Sequence, residues 1–80
     1  GRVAFVLLRL YRSGVIELDK SGFAIVKLTH QELANLAGTS RETVTRALKV
    51  LENEGVIETK PKEILITDIQ GLEEVLHGIR

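Results

Sequence analysis

In the segment RVAFVLLRLYR, apolar residues stand at Val3, Val6, Leu7, Leu10 and Tyr11. That i, i+3, i+4, i+7, i+8 spacing stacks side chains on one face of an α-helix. Ala4, Phe5 and Leu8 fall on a second side and leave Arg2, Arg9 and Arg12 as the polar sector. A helix apolar on two sides calls for two partners. One is this domain, and the other is material outside it or a second copy of the chain; the alternative is that Phe5 folds back under a loop. Gly14 can end the helix. Two β-prone runs follow, Val15–Leu18 and Phe23–Leu28, on either side of the turn signal Asp-Lys-Ser-Gly, so a hairpin is expected.

LTHQELANLAG then reads as a second helix with clear start and stop signals. Thr29 and Glu32 have capping-box spacing, in which each side chain serves a backbone N–H that the helix leaves unpaired. Leu28 and Leu33 suit the accompanying hydrophobic staple. Leu33, Ala34, Leu36 and Ala37 supply the expected inner face, and Gly38 stops the helix. Only Thr39 and Ser40 precede the next helical pattern, and so short a link makes two helices cross sharply, as in a helix-turn-helix. The third helix runs from Ser40 or Arg41 to about Glu54, with Val44, Ala47, Leu48 and Leu51 inward and Gly55 at its end.

Beyond Gly55, VIETK and EILIT flank Pro61-Lys62 as a second, short hairpin with a charged tip. The tail DIQGLEEVLHGIR reads as a last helix capped by Asp68, with Ile69, Leu72, Val75, Leu76 and Ile79 inward. Residues 1–80 therefore form one α+β domain, a small helical body with two short β-hairpins in the winged helix-turn-helix arrangement. Its length suits one modest core. No repeat, low-complexity tract or linker interrupts it.

Composition narrows the function classes. No window has the apolar length of a membrane span and no signal peptide is visible, so no membrane association is expected. The chain lacks cysteine, which removes disulfides and thiolate metal sites and suits a cytoplasmic protein. His30 and His77 have no partners at metal-ligand spacing, no Ser-His-Asp arrangement is suggested, and the glycines form no phosphate loop. Neither catalysis nor a cofactor is expected in this segment. Eleven basic and eleven acidic residues cancel. Net charge sets only the far field, however, and contact depends on local distribution.

Locally the charge is uneven. Arg41, Glu42, Thr45, Arg46 and Lys49 occupy an arc of roughly 140° opposite the inner stripe of the third helix, at about 100° per residue. The major groove of DNA admits one α-helix and displays distinguishable base edges. Arginine matches the two acceptors of guanine, and glutamate accepts from the amino group of cytosine. Arg41, Glu42 and Arg46 thus form a set suited to G·C pairs, with Thr45 placed for a thymine methyl or a base acceptor. Ser40 and Thr43 at one helix start, and Thr29 and Gln31 at another, suit phosphates. Lys49, Lys60 and Lys62 are mobile cations suited to the same backbone. Plainer readings stand beside these. Glu42 and Arg46 fit an i, i+4 ion pair, Thr39 and Glu42 fit a second capping box, and Ser40 is an ordinary helix cap.

LTHQELANLAGTSRETVTRALKVLENEGVIE resembles the DNA-binding half of the CRP/FNR family of bacterial transcription regulators. The likeness extends from the first helix to ILITDIQGLEEV, and the SRETVTR stretch followed by L-K-x-L-E-x-E-G-x-I is its specific part. The resemblance implies an N-terminal sensor domain and a long dimerising helix ahead of a winged-helix domain. It implies that this chain, which opens inside a helix, is a piece of a longer, effector-responsive regulator without its sensor and most of the dimerisation helix. It places Arg41, Glu42 and Arg46 at base-reading positions, Thr45 at a position some members use, and Lys49 at a basic position near DNA. Thr29, Gln31, Ser40 and Thr43 match positions that commonly touch phosphate. The implied partners are double-stranded DNA with an inverted-repeat site, a second copy of the chain, and RNA polymerase through the hairpin around 17–25. Pro61 departs from the family, which often has glycine beside a basic residue there. A winged-helix protein-interaction module is the competing reading. It sits poorly with the third-helix face, which has no aromatic residue where protein hot spots favour them.

Overall fold

The computed structural model describes residues 2–14 and 16–79. Val15, the expected start of the first strand run, and Gly1 lie outside the described residues, as does Arg80. The chain runs α1 (Arg2–Arg12), β1 (Glu17–Leu18), β2 (Ala24–Val26), α2 (His30–Ala37), α3 (Arg41–Asn53), β3 (Ile57–Lys60), β4 (Glu63–Ile66) and α4 (Ile69–Leu76). Both expected hairpins form. They also join: β2 pairs antiparallel with β4, giving one sheet in the order β1-β2-β4-β3. In that register Ala24 and Val26 lie opposite Ile66 and Ile64, all four buried. Side chains alternate between the faces of a strand, so these pairings seal one side of the sheet against the helices. Leu33, Val44, Leu48, Val56, Leu72 and the inner residues of α1 complete the core.

Local signals explain the helix ends. The hydroxyl of Thr29 accepts from the Glu32 N–H at 3.1 Å, and the Glu32 carboxylate accepts from the Thr29 N–H at 2.9 Å. The capping box is therefore complete, and its hydrogen bonds hold the Glu32 carboxyl below its usual range, the Thr29 backbone bond foremost. At the other end Gly38 adopts φ 69° and returns its N–H to Ala34 O. Ser40 caps α3 by accepting from the Thr43 N–H at 3.1 Å, so Thr39 and Glu42 do not form the alternative box. Asp68 caps α4 through the Gly71 N–H at 2.9 Å.

Three burial expectations are corrected. On α1 the buried residues are Val3, Ala4, Leu7 and Leu8, while Val6, Leu10 and Tyr11 are only partly covered. The inner face is rotated by roughly 60° from the expected stripe, taking 100° per residue. The cause is packing on two sides by the domain itself, since α1 touches α2, α3, α4 and β2. The second apolar side thus finds its partner internally, except for Phe5, which stays 49% exposed beneath the Arg9 guanidinium. Leu36 is exposed, because α2 buries Leu33, Ala34 and Ala37 and Leu36 falls about 110° from the centre of that face. Ile79 is exposed too, since α4 ends at Leu76 and the helical register that would have turned it inward stops there.

The turn between α2 and α3 leaves no slack. A left-handed backbone is costly for any residue with a Cβ, and a Cβ on Gly38 would stand 3.0 Å from Arg2 Nη1, which donates to Ala37 O at 3.1 Å. Gly38→Ala is expected to lower the unfolding free energy by about 1–2 kcal/mol, read from denaturant melts at constant m-value. Unchanged stability would contradict the role given to this turn.

Candidate nucleic-acid interface

The outer face of α3 is open because its inner face is fully committed. Val44, Leu48 and Leu51 are buried, while Arg41, Glu42, Thr45, Arg46 and Lys49 are exposed. Arg41, Glu42 and Arg46 make no hydrogen bond or ion pair with any described residue, so the expected Glu42–Arg46 pair is not formed.

Most acidic residues off this face are occupied elsewhere. Glu73 pairs with Arg12 at 3.0 Å, and Glu17 with Lys27 at 3.0 Å. Asp19 ties its own turn by accepting from the N–H groups of Ser21 and Phe23. Glu32 and Asp68 serve as helix-start groups. A neutral chain can therefore carry two arginines and a lysine against one carboxylate, Glu42, on one helix face, because most of its other carboxylates serve backbone and cations at other places.

The other candidate residues divide by position. The starts of α2 and α3 and the tip of the β3–β4 hairpin converge on an open cleft of about 310 Å³, lined by Thr29, His30, Gln31, Arg41, Thr45 and Pro61. Pro61 and Lys62 form its two-residue turn with no positive φ, consistent with the φ that the proline ring fixes. Gln31 donates to Asn35 at 3.0 Å along the exposed side of α2. Lys60 and Lys62 are exposed near the tip, Lys60 within 3.8 Å of Glu63. Thr43 is set apart. It lies about 200° around α3 from Arg41, bonds to Ser40 through its hydroxyl at 2.9 Å, and edges an apolar hollow with Val3, Ala47, Val50 and Val75. Arg41 and Thr45 thus share one side of the molecule with the phosphate candidates on α2, and Thr43 borders another.

Residues 1–75 match the family model of the Crp-like helix-turn-helix domain. The chain belongs to the Crp-like helix-turn-helix family. It is 42% identical over 78 residues to the cyclic AMP receptor protein of Thermus thermophilus, a match covering 98% of this chain and 33% of that protein. Two crystal structures from the same organism share the fold. The catabolite activator protein superposes with a TM-score of 0.82 at 40% identity, covering 99% of this chain and 34% of its own. A transcriptional regulator of the CRP/FNR family gives 0.85 at 36% identity, covering 95% and 39%. The chain thus spans about a third of the length of these relatives. Membership in the Crp-like family accounts for the winged arrangement, with the second hairpin in the place of the wing.

One residue escaped the reading of the sequence. His30, the first residue of α2, has its Nδ1 2.9 Å from Thr45 Oγ1 on α3. Fifteen positions separate the two, and only the crossing of α2 and α3 brings them together; no spacing rule along the chain would have found the pair.

The wing is fastened to α3 by a carboxylate. Glu52 Oε2 accepts from the Thr59 N–H at 3.1 Å and from its hydroxyl at 2.9 Å. These bonds, the backbone one first, hold the Glu52 carboxyl below its ordinary 4.5, with Lys49 adding a smaller pull in the same direction. A folded value below the unfolded one means the stabilisation is complete above the unfolded value and fades as pH falls through the folded one. Glu52→Gln is therefore expected to be less stable than the parent chain at neutral pH, with the gap closing below the ordinary glutamate range. Thermal melts across acidic pH would check this, and a gap independent of pH would contradict it.

Proposed function

We propose that this chain is the sequence-specific DNA-binding module of an effector-responsive CRP/FNR-type transcription regulator. α3 enters the major groove, where Arg41, Glu42 and Arg46 read base edges and Thr45 contributes a methyl or hydroxyl contact. Thr29, Gln31, Ser40, Lys49, Lys60 and Lys62 are assigned to the phosphate backbone, with Lys60 sharing its charge with Glu63, and Thr43 is assigned to it from the neighbouring side of α3, beside the Ser40 hydroxyl it bonds. The observation that carries this reading is the unpaired, outward set Arg41, Glu42 and Arg46 on a helix whose inner stripe, Val44, Leu48 and Leu51, is buried in the core.

In a regulator built like these relatives, residues 1–80 follow a sensor domain and a dimerising helix. Two copies then set their third helices in successive major grooves of an inverted repeat, about 34–36 Å apart. Effector binding would alter how the two copies are oriented, and the β1–β2 hairpin would be the surface offered to RNA polymerase. The module acts in the cytoplasm on this reading. Among the described residues no helix is long and apolar enough to cross a membrane.

The test is fluorescence anisotropy with a preferred palindromic duplex and a scrambled one at several salt concentrations. Affinity falls with rising salt through counterion release. Arg46→Ala costs about 1–3 kcal/mol on the preferred duplex and relaxes the preference at one base pair, while Lys49→Ala weakens both duplexes about equally. Sequence preference untouched by Arg46→Ala would remove the base-reading role.

A further inference from the structure

Thr45 stands on the second turn of α3, on the face assigned to base reading, and its hydroxyl is held from a different helix. Threonine in a helix ordinarily divides between two χ1 rotamers, because its hydroxyl can turn back to the carbonyl three or four residues earlier. For Thr45 those carbonyls belong to Glu42 and Arg41. Instead, Oγ1 bonds to His30 Nδ1 at 2.9 Å. Whichever atom donates, the bond selects one rotamer and fixes where the Thr45 methyl points. It also restricts what Oγ1 can offer, since a hydroxyl has one proton to give and two lone pairs to receive.

His30 is itself well anchored. It is the first helical residue, enclosed by the Thr29–Glu32 capping box that sets the start of α2 in place. The same cleft brings Arg41 and Pro61 beside it. The geometry therefore offers a rigid α2 terminus that reaches across to one reading residue and leaves Arg46 alone.

We propose that His30 is a positioning residue for base selectivity: it holds Thr45 in a single rotamer, so discrimination at the base pair facing Thr45 depends on both side chains. This rests on the DNA-reading role of α3 proposed above.

The experiment measures relative affinities for duplexes varied one base pair at a time, using the parent chain, His30→Ala, Thr45→Val and the double variant. His30→Ala and Thr45→Val are each expected to lose about 2- to 10-fold of discrimination at the same base pair, the scale of one hydrogen bond. The double variant should lose no more than the larger single loss, because one interaction is being removed twice. Discrimination at the position governed by Arg46 should stay intact. His30→Asn, which keeps a polar atom near the place of Nδ1, should recover part of the loss. Scalar couplings of Thr45 should report one χ1 rotamer in the parent chain and averaging in His30→Ala, with no DNA present.

Uniform weakening of all duplexes by His30→Ala, or additive losses at two different base pairs, would overturn the proposal and leave α3 as the reading helix. An averaged Thr45 rotamer in the parent chain would overturn it too. A parent chain with no sequence preference at all would remove the DNA-reading role, and this inference with it.

Discussion

Everything α3 presents depends on how the chain turns at Gly38. The glycine takes a left-handed conformation, its N–H returns to α2, and two residues later Ser40 already caps α3. With so few residues between the helices, their crossing is set by backbone geometry rather than by loose packing. Arg2 donates to Ala37 O beside the same turn, tying the start of α1 to it. Once this angle is set, Val44, Leu48 and Leu51 must face the core, and Arg41, Thr45 and Arg46 must face away from it.

Electrostatics completes what the turn begins. A chain with no net charge has no far-field attraction for a polyanion, yet its charges are segregated by the work they do. Most carboxylates cap helices, fix turns or neutralise cations on other elements, and Glu52 fastens the wing to α3. The guanidiniums of Arg41 and Arg46 are left without internal partners among the described residues. Close-range attraction depends on that local imbalance far more than on the sum.

Much of this was legible in the chain because the signals are local. The Thr29–Glu32 box, the glycine stop and the period of α3 each follow from backbone hydrogen bonding and helix geometry, and each holds in the structure. What escaped was long-range. The pairing of β2 with β4, which merges two hairpins into one sheet, requires strands about forty residues apart to meet, and no local rule specifies it. The inner face of α1 turned because α2 and α4 embrace it from both sides, so Ala4 and Leu8 are core while Phe5 is not. Leu36 and Ile79 went astray because apolarity alone does not say which edge of a helix its neighbours reach. His30 meeting Thr45 is a product of the same crossing.

On the proposed reading, the outward face of α3 is the surface that meets duplex DNA. Arginine side-chain Nε–H resonances followed by NMR through a titration with duplex test it most directly. The signals of Arg41 and Arg46 are expected to shift and sharpen into a bound form, while those of Arg9 and Arg12 on α1 stay in place. Movement of Arg9 and Arg12 with Arg41 and Arg46 unmoved would contradict it.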